Sequence, residues 1–204
     1  MKPCLISACS AALLALSVSG TAMAAATVGQ PAPNFTLNDL NGKRVSLADY
    51  KGKHVVLEWQ NPGCPFVQKH YDSGNMQQLQ NKYDAKDTVW LSINSTHPSH
   101  QDYQSNEKMS AYLASKKAAP DAYMPDTDGS VGLSYGAKTT PHMYVINPAG
   151  VLVYAGAIDD KRGTIPAEIA IAKNYVVAAL DESKAGKPVS AATSQPYGCS
   201  VKYK

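Results

Sequence analysis

The sequence predicts an α/β fold: a mixed central sheet with helices on both faces, entered through an N-terminal β-hairpin. Three observations point to it. The apolar runs HVVLEW (residues 54–59) and TVWLSI (88–93) are separated by a helical pattern, and strands joined by a helix run parallel. MYVI (143–146) and VLVYAG (151–156) flank the turn Asn147-Pro148-Ala149-Gly150, which makes that pair antiparallel. Ahead of them, residues 35–37 and 44–47 flank Asn41-Gly42, a strong hairpin dipeptide.

The remaining elements follow in order. Residues 65–83 read as helical, with Ser73-Gly74 kinking the helix or splitting off a turn. Residues 106–117 form a helix with Met109, Tyr112 and Leu113 on one face. A short turn is expected near 131–135, and a long helix from 166 to 183, ended by Gly186-Lys187-Pro188. The tail from 185 is rich in Ser, Ala and Pro, then turns aromatic and basic at QPYGCSVKYK. No internal repeat or second domain is visible. The expected organisation is a leader at 1–24, one domain at 25–184, and a C-terminal tail at 185–204 that carries Cys199.

The leader has Lys2 at its start, an apolar run from Leu5 to Val18, and Ala22-Met23-Ala24 in the small-x-small form that signal peptidase accepts. The run is short for a bilayer span, and the polar TVGQPAPN follows it. A cleaved signal makes the protein periplasmic or secreted, with no membrane attachment afterwards. Cleavage also removes Cys4 and Cys9, leaving Cys64 and Cys199 in a compartment where disulfides persist. The two are therefore expected to join, permanently or during turnover. The net charge of +3 comes with no basic cluster interleaved with aromatics, so nucleic acid is not an expected partner.

Cys64 sits in NPGCPFVQKH, between a strand and a helix. Pro62-Gly63 is a turn, and Pro65 suits the first helical position because its missing N–H is not needed there. Cys64 is then the N-cap, with its sulfur near free N–H groups and the positive end of the helix dipole. That placement lowers a thiol pKa from about 8.5 toward roughly 3.5–7.5, and the thiolate is the nucleophile. A buried inert cysteine, or one half of a permanent disulfide, is the alternative. Downstream, Thr139-Thr140-Pro141-His142 leads into MYVI, and a proline entering a central strand is tolerated at its start with a cis Thr140–Pro141 bond.

With these pieces in view, EWQNPGCP and AKTTPHMYVIN resemble the strand–Cys–helix unit and the cis-proline loop of thioredoxin-fold redoxins. PAPNFTLNDLNGKRVSL is similar to the N-terminal hairpin of exported thioredoxin-like and peroxiredoxin proteins. The GCSVKY ending is similar to that of peroxiredoxin-like redoxins in the alkyl hydroperoxide reductase/thiol-specific antioxidant superfamily. The resemblance covers roughly residues 28 to 183 and implies a thioredoxin-like fold. It also implies a substrate site made by the cysteine helix and the proline loop, with no bound cofactor.

Two departures matter. The second cysteine of a C-x-x-C is replaced by Val67, so no local disulfide forms. The peroxiredoxin P-x-x-x-T-x-x-C has Asn61 where the threonine should be, and the arginine such enzymes carry near the proline pair is missing; both would polarise a leaving hydroxide. The resemblance therefore implies an exported thiol–disulfide oxidoreductase with Cys64 as nucleophile and Cys199 as resolving cysteine. Its substrate platform would be Trp59, Asn61, Pro65, Thr140 and Pro141. Its partners would be a protein or small-molecule thiol or disulfide and a thiol reductase.

Three alternatives stay open. One is a thiol peroxidase on the same cysteines. Another is a binding module, holding copper through Cys64, His142 and Cys199, whose disulfide is a staple stabilising by about 4–5 kcal/mol on the chain-entropy model. The third is intermolecular pairing through Cys199. Glu58 is a candidate proton acceptor or an exposed strand residue, Lys69 is expected to face solvent, and His97-x-x-His100 is expected to be a solvated loop pair.

Overall fold

A computed structural model describes residues 25–83 and 86–204. The expected leader lies outside the described residues. The chain begins with the hairpin β1 (Thr36–Asn38) and β2 (Arg44–Ser46), closed where Asp39 Oδ1 accepts the N–H groups of Asn41 and Lys43 at 2.9 and 2.8 Å. Then come β3 (His54–Trp59), α1 (Pro65–Asp72), α2 (Asn75–Lys82), β4 (Thr88–Asn94) and α3 (Asn106–Lys116). The second half holds β5 (Ala122–Pro125), α4 (Ser130–Tyr135), β6 (Thr139–Thr140), β7 (His142–Ile146), β8 (Leu152–Gly156), α5 (Tyr175–Lys184) and β9 (Cys199–Ser200).

The main sheet has the strand order β5-β4-β3-β7-β8. β3 pairs parallel with β4, and β4 with β5, while β7 and β8 run antiparallel, so the sheet is mixed as expected. β3 and β4 are buried along their whole length, which is why both read as unbroken apolar runs. Alternation divides β3 between two cores. Val55, Leu57 and Trp59 meet the hairpin and α4 through Phe35, Val45, Val131 and Tyr135. Val56, on the opposite face, meets α1, α2 and α5 through Val67, Tyr71, Met76, Leu79, Ala179 and Leu180. Two polar residues share that face: His54, bonded to Ser183 of α5 at 2.9 Å, and the fully buried Glu58.

Several expectations change. The helix expected from 65 to 83 is two helices, because Gly74 takes a left-handed φ of +76° and becomes the N-cap of α2. The helix expected from 166 to 183 is a 3-10 turn (Pro166–Ile171) followed by α5. Asn174 separates them: its Oδ1 accepts the Val177 N–H at 3.0 Å, capping a new helix, and it bridges to Asp159. β5 was not foreseen at all. It is a short edge strand ending in proline, too brief for periodicity to reveal. The turn expected near 131–135 is the helix α4. Among the described residues, no helix is long and apolar enough to cross a membrane.

Candidate active site beneath the C-terminal strand

The site forms where β3 ends. Asn61 builds the connecting loop: its Oδ1 accepts the Gly63 N–H at 2.8 Å, its Nδ2 donates to Thr96 Oγ1 at 2.9 Å, and its carbonyl accepts the Cys64 N–H at 3.0 Å. These bonds turn the chain so that Cys64 becomes the N-cap of α1, with Pro65 following at the helix start. The Cys64 side chain makes no capping bond to its own helix. Its sulfur points instead at the proline loop, donating to the Thr140 carbonyl at 3.0 Å. The Thr140–Pro141 bond is cis, as the sequence led us to expect.

Across this junction lies the tail. β9 pairs antiparallel with β6, Thr140 opposite Cys199 and Thr139 opposite Ser200. The Cys199 N–H points at Cys64 Sγ at 3.4 Å, and the two sulfurs are 2.6 Å apart, both as free thiols. A disulfide of about 2.05 Å would need only a small shift from here. Burial, then the hydrogen bond and charge of Cys64, push the Cys199 thiol up to about 12. Cys199 therefore holds its proton at neutral pH. The tail also seals the site: Cys64 is 2% exposed, while Cys199 keeps an intermediate exposure.

The tail is fastened on both sides of Cys199. Before it, Ser194 Oγ accepts the Ala157 N–H at 2.9 Å and lies 2.6 Å from the Tyr154 hydroxyl. Tyr197 is buried, its ring edge-on to Phe66 and its hydroxyl donating to Asp159 Oδ1 at 2.6 Å. After it, Val201 N–H donates to Lys138 O at 3.0 Å, His97 N–H to Lys202 O at 2.8 Å, and the Tyr203 hydroxyl to Ala137 O at 2.9 Å.

Beneath Tyr197 is a buried polar chain. Asn75 Nδ2 donates to His70 Nδ1 at 2.9 Å, so Nε2 carries the proton toward the Tyr197 oxygen 3.3 Å away, and Tyr197 donates onward to Asp159. Every member is satisfied with His70 neutral. Burial, helped by the Lys69 charge, lowers His70 to about 3, so its 3.9 Å approach to Asp159 is no ion pair. Lys69, expected in solvent, is buried. Its Nζ donates to Lys161 O at 2.8 Å and lies 3.6 Å from Glu168, because the 3-10 turn folds over this face of α1. The sequence carried no signal for that cover.

The other candidates fall elsewhere. Trp59, expected on the substrate platform, has no exposed surface; β3 alternation turns it into the core beside Tyr135 and Tyr144. Asn61 is likewise occupied inside the loop. Thr140 and Pro141 lie at the thiol but under the tail, and Pro65 is the exposed member of the set. Glu58 is fully buried, not an exposed strand residue. Tyr71, Trp90 and Ser92 donate to it at 2.9, 2.8 and 3.0 Å, and burial raises its pKa. None of these partners belongs to the Cys64 loop. His142 is buried, accepting the Lys138 N–H at Nδ1 with the Tyr144 hydroxyl 3.1 Å away. Among the described residues no group of three or more His, Cys, Asp or Glu could hold a metal ion.

The two buried histidines make the stability depend on pH. Burial lowers His142 to about 4 and His70 to about 3, from 6.5. A depressed folded pKa contributes stability that is present above pH 6.5 and is lost as pH falls toward those values. Glu58, Asp126 and Asp159, raised by burial, act with the opposite sign. The comparison of variants therefore isolates the histidine. The Tm of His70→Gln should change less than that of the unaltered protein between neutral pH and about pH 4. Parallel profiles would remove His70 from this role.

The profile of the AhpC/TSA family matches residues 28–155, a span running from the hairpin through Cys64 and the cis-proline to β8. The chain belongs to the AhpC/TSA family. Cys199 and the tail lie beyond the matched span of this AhpC/TSA chain. Thiol-disulfide oxidoreductase ResA of Bacillus subtilis (strain 168) is 29% identical over 125 residues, which make up 61% of this chain and 64% of that protein. An uncharacterized conserved protein from Geobacillus kaustophilus has a crystal structure that superposes with a TM-score of 0.74 at 28% identity, over 87% of this chain and 93% of that one. The thioredoxin domain of a thiol-disulfide oxidoreductase from Bacteroides vulgatus superposes with a TM-score of 0.51 at 23% identity, over 71% of this chain and 96% of that one. The AhpC/TSA chain thus has a thioredoxin-like fold.

Proposed function

We propose that this AhpC/TSA-family chain is an exported thiol–disulfide oxidoreductase in which Cys64 is the nucleophile and Cys199 the resolving thiol. The contact between the two sulfurs across the β6–β9 pair supports the reading most directly. Export rests on the leader pattern in the sequence. With the tail lifted, the Cys64 thiolate attacks one sulfur of a substrate disulfide held against Thr140, Pro141 and Pro65. A Cys64–substrate bond forms, the substrate's own S–S bond breaks, and its second sulfur leaves as a thiolate that takes up a proton. The returning Cys199 thiol loses its proton and attacks Cys64 Sγ. The Cys64–Cys199 bond forms and the substrate leaves as a dithiol, two electrons richer. A thiol reductase then returns those electrons to the pair. Peroxide reduction on the same cysteines is less well served, because the Asn61 amide is already committed to Thr96 and Gly63.

The reduction potential of the Cys64–Cys199 pair tests this. A value between about −120 and −270 mV is expected of a catalytic couple, whereas one below about −300 mV would make the bond a structural staple. Oxidised protein with no Cys64–Cys199 bond would remove the resolving role.

A further inference from the structure

The tail is held as a strand added to the proline loop, and its detail describes what else would fit there. The loop offers Thr139 and Thr140 as a pairing edge, and Cys199 and Ser200 occupy it. The residue before the cysteine is Gly198, at a left-handed φ of +136°. A Cβ built there would run into the Thr140 carbonyl oxygen and come within 2.7 Å of its carbon, so a side chain at this point is excluded by rigid backbone. The residue before that, Tyr197, fills a slot lined by Phe66, Lys69, His70 and Asp159, with an aromatic edge on one side and a hydrogen-bond acceptor at its end. The site thus reads three consecutive positions: aromatic, then glycine, then cysteine.

A disulfide exchange at Cys64 also restricts where the incoming sulfur lies. Cys64 is 2% exposed with the tail in place, so no protein disulfide reaches it until the tail moves. The place that Cys199 Sγ vacates lies within bonding reach of the same thiol and beside the same Thr140 carbonyl, and is open to an incoming substrate sulfur. Its flanking backbone meets the same pairing edge.

We propose that the tail is an internal copy of the substrate, and that the substrate is a protein disulfide presented on an extended segment with the order aromatic–Gly–Cys. The inference rests on the reading above that Cys64 attacks disulfides. The aromatic hydroxyl, where present, bonds Asp159, and the glycine passes the Thr140 carbonyl. The cysteine forms the bond to Cys64 as its own disulfide breaks and releases the partner thiolate. Tail and substrate cannot occupy the loop together, so the segment leaves the pairing edge before the tail docks again, and Cys199 attacks Cys64 Sγ from the side opposite the substrate sulfur.

The test uses the full chain carrying Cys4→Ser, Cys9→Ser and Cys199→Ser, which leaves Cys64 as the one thiol. Three peptides, QPYGCSV and its Tyr→Ala and Gly→Ala versions, are each disulfide-linked to a nitrothiobenzoate group, and release of the coloured thiolate is followed. QPYGCSV should react at least about tenfold faster than either variant, a preference worth about 1.4 kcal/mol. Adding Gly198→Ala to the protein should expel the tail, speed the reaction with all three peptides, and preserve their ranking. Equal rates for the three peptides would overturn the inference and leave the proposed function standing. A Gly198→Ala protein that reacts no faster would overturn the idea that the tail fills the substrate's place. No reaction of Cys64 with any peptide or with the small aromatic disulfide itself would overturn the proposed function first.

Discussion

Replacing Trp59 by alanine lowers the unfolding free energy by about 3–5 kcal/mol, the range for removing a large buried aromatic. The ring has no exposed surface and lies 5.3 Å from Tyr135 and 5.2 Å from Tyr144, the latter pair edge to face. Its Nε1–H donates to Ser95 Oγ at 2.9 Å, and the Ser95 hydroxyl donates to Asp126 Oδ2 at 2.6 Å. Asp126 in turn receives the N–H of Gly132 at 2.8 Å, which holds the start of α4 in place. Alanine therefore removes the packing and loosens a buried polar chain. Trp59→Phe keeps most of the packing and should cost less. Denaturant titrations measure both changes. A Trp59→Ala protein within about 1 kcal/mol of the original, with a raised KM for disulfide, would return Trp59 to the substrate platform.

On the proposed function, Cys64→Ser should abolish disulfide exchange, whereas Cys199→Ser should permit the first attack and then stop with substrate bound to Cys64. The difference follows from burial, the largest cause that raises the Cys199 thiol and one that remains when Cys64 is replaced, so Cys199 keeps its proton and does not compete as the first nucleophile. With Cys4 and Cys9 also replaced by serine, intact-protein mass after one addition of a disulfide separates the cases: Cys199→Ser should carry one adduct and Cys64→Ser none. The opposite pattern is concrete, because Cys199 is the more exposed of the two sulfurs. An adduct on Cys199 in Cys64→Ser, with none on Cys64 in Cys199→Ser, would exchange the assigned roles.

Much of the frame was legible because long buried strands leave long apolar runs. HVVLEW and TVWLSI are buried throughout and paired parallel, and Asn41-Gly42 closes the hairpin it was expected to close. The cis-proline was legible from a strand that begins with a residue unable to donate. What escaped the sequence was mostly cover. Lys69 looks like a helix-surface cation, and only the 3-10 turn folding over α1 buries it. Trp59 sits close to Cys64 in sequence, yet strand alternation sends it to the opposite face. Tyr197 and Asp159 are far apart in the chain and carry no shared pattern, so their bond beneath the tail could only be seen in three dimensions. β9 is two residues long and has no period at all.

The anchoring of Ser194 has a kinetic meaning. Its backbone N–H and its hydroxyl hold it against β8 and the residues just after that strand. If the tail lifts from there, Cys199 hangs on a tether that spans at most about 18 Å when fully extended. A group tethered that closely stays at an effective concentration on the order of millimolar at its own docking place. A free protein disulfide present at micromolar levels therefore meets a rival that is about a thousandfold more concentrated. Such a substrate cannot hold the site by occupancy. On the proposed function it is captured covalently in the brief intervals when the loop is empty, and the frequency of those intervals would set the ceiling on turnover.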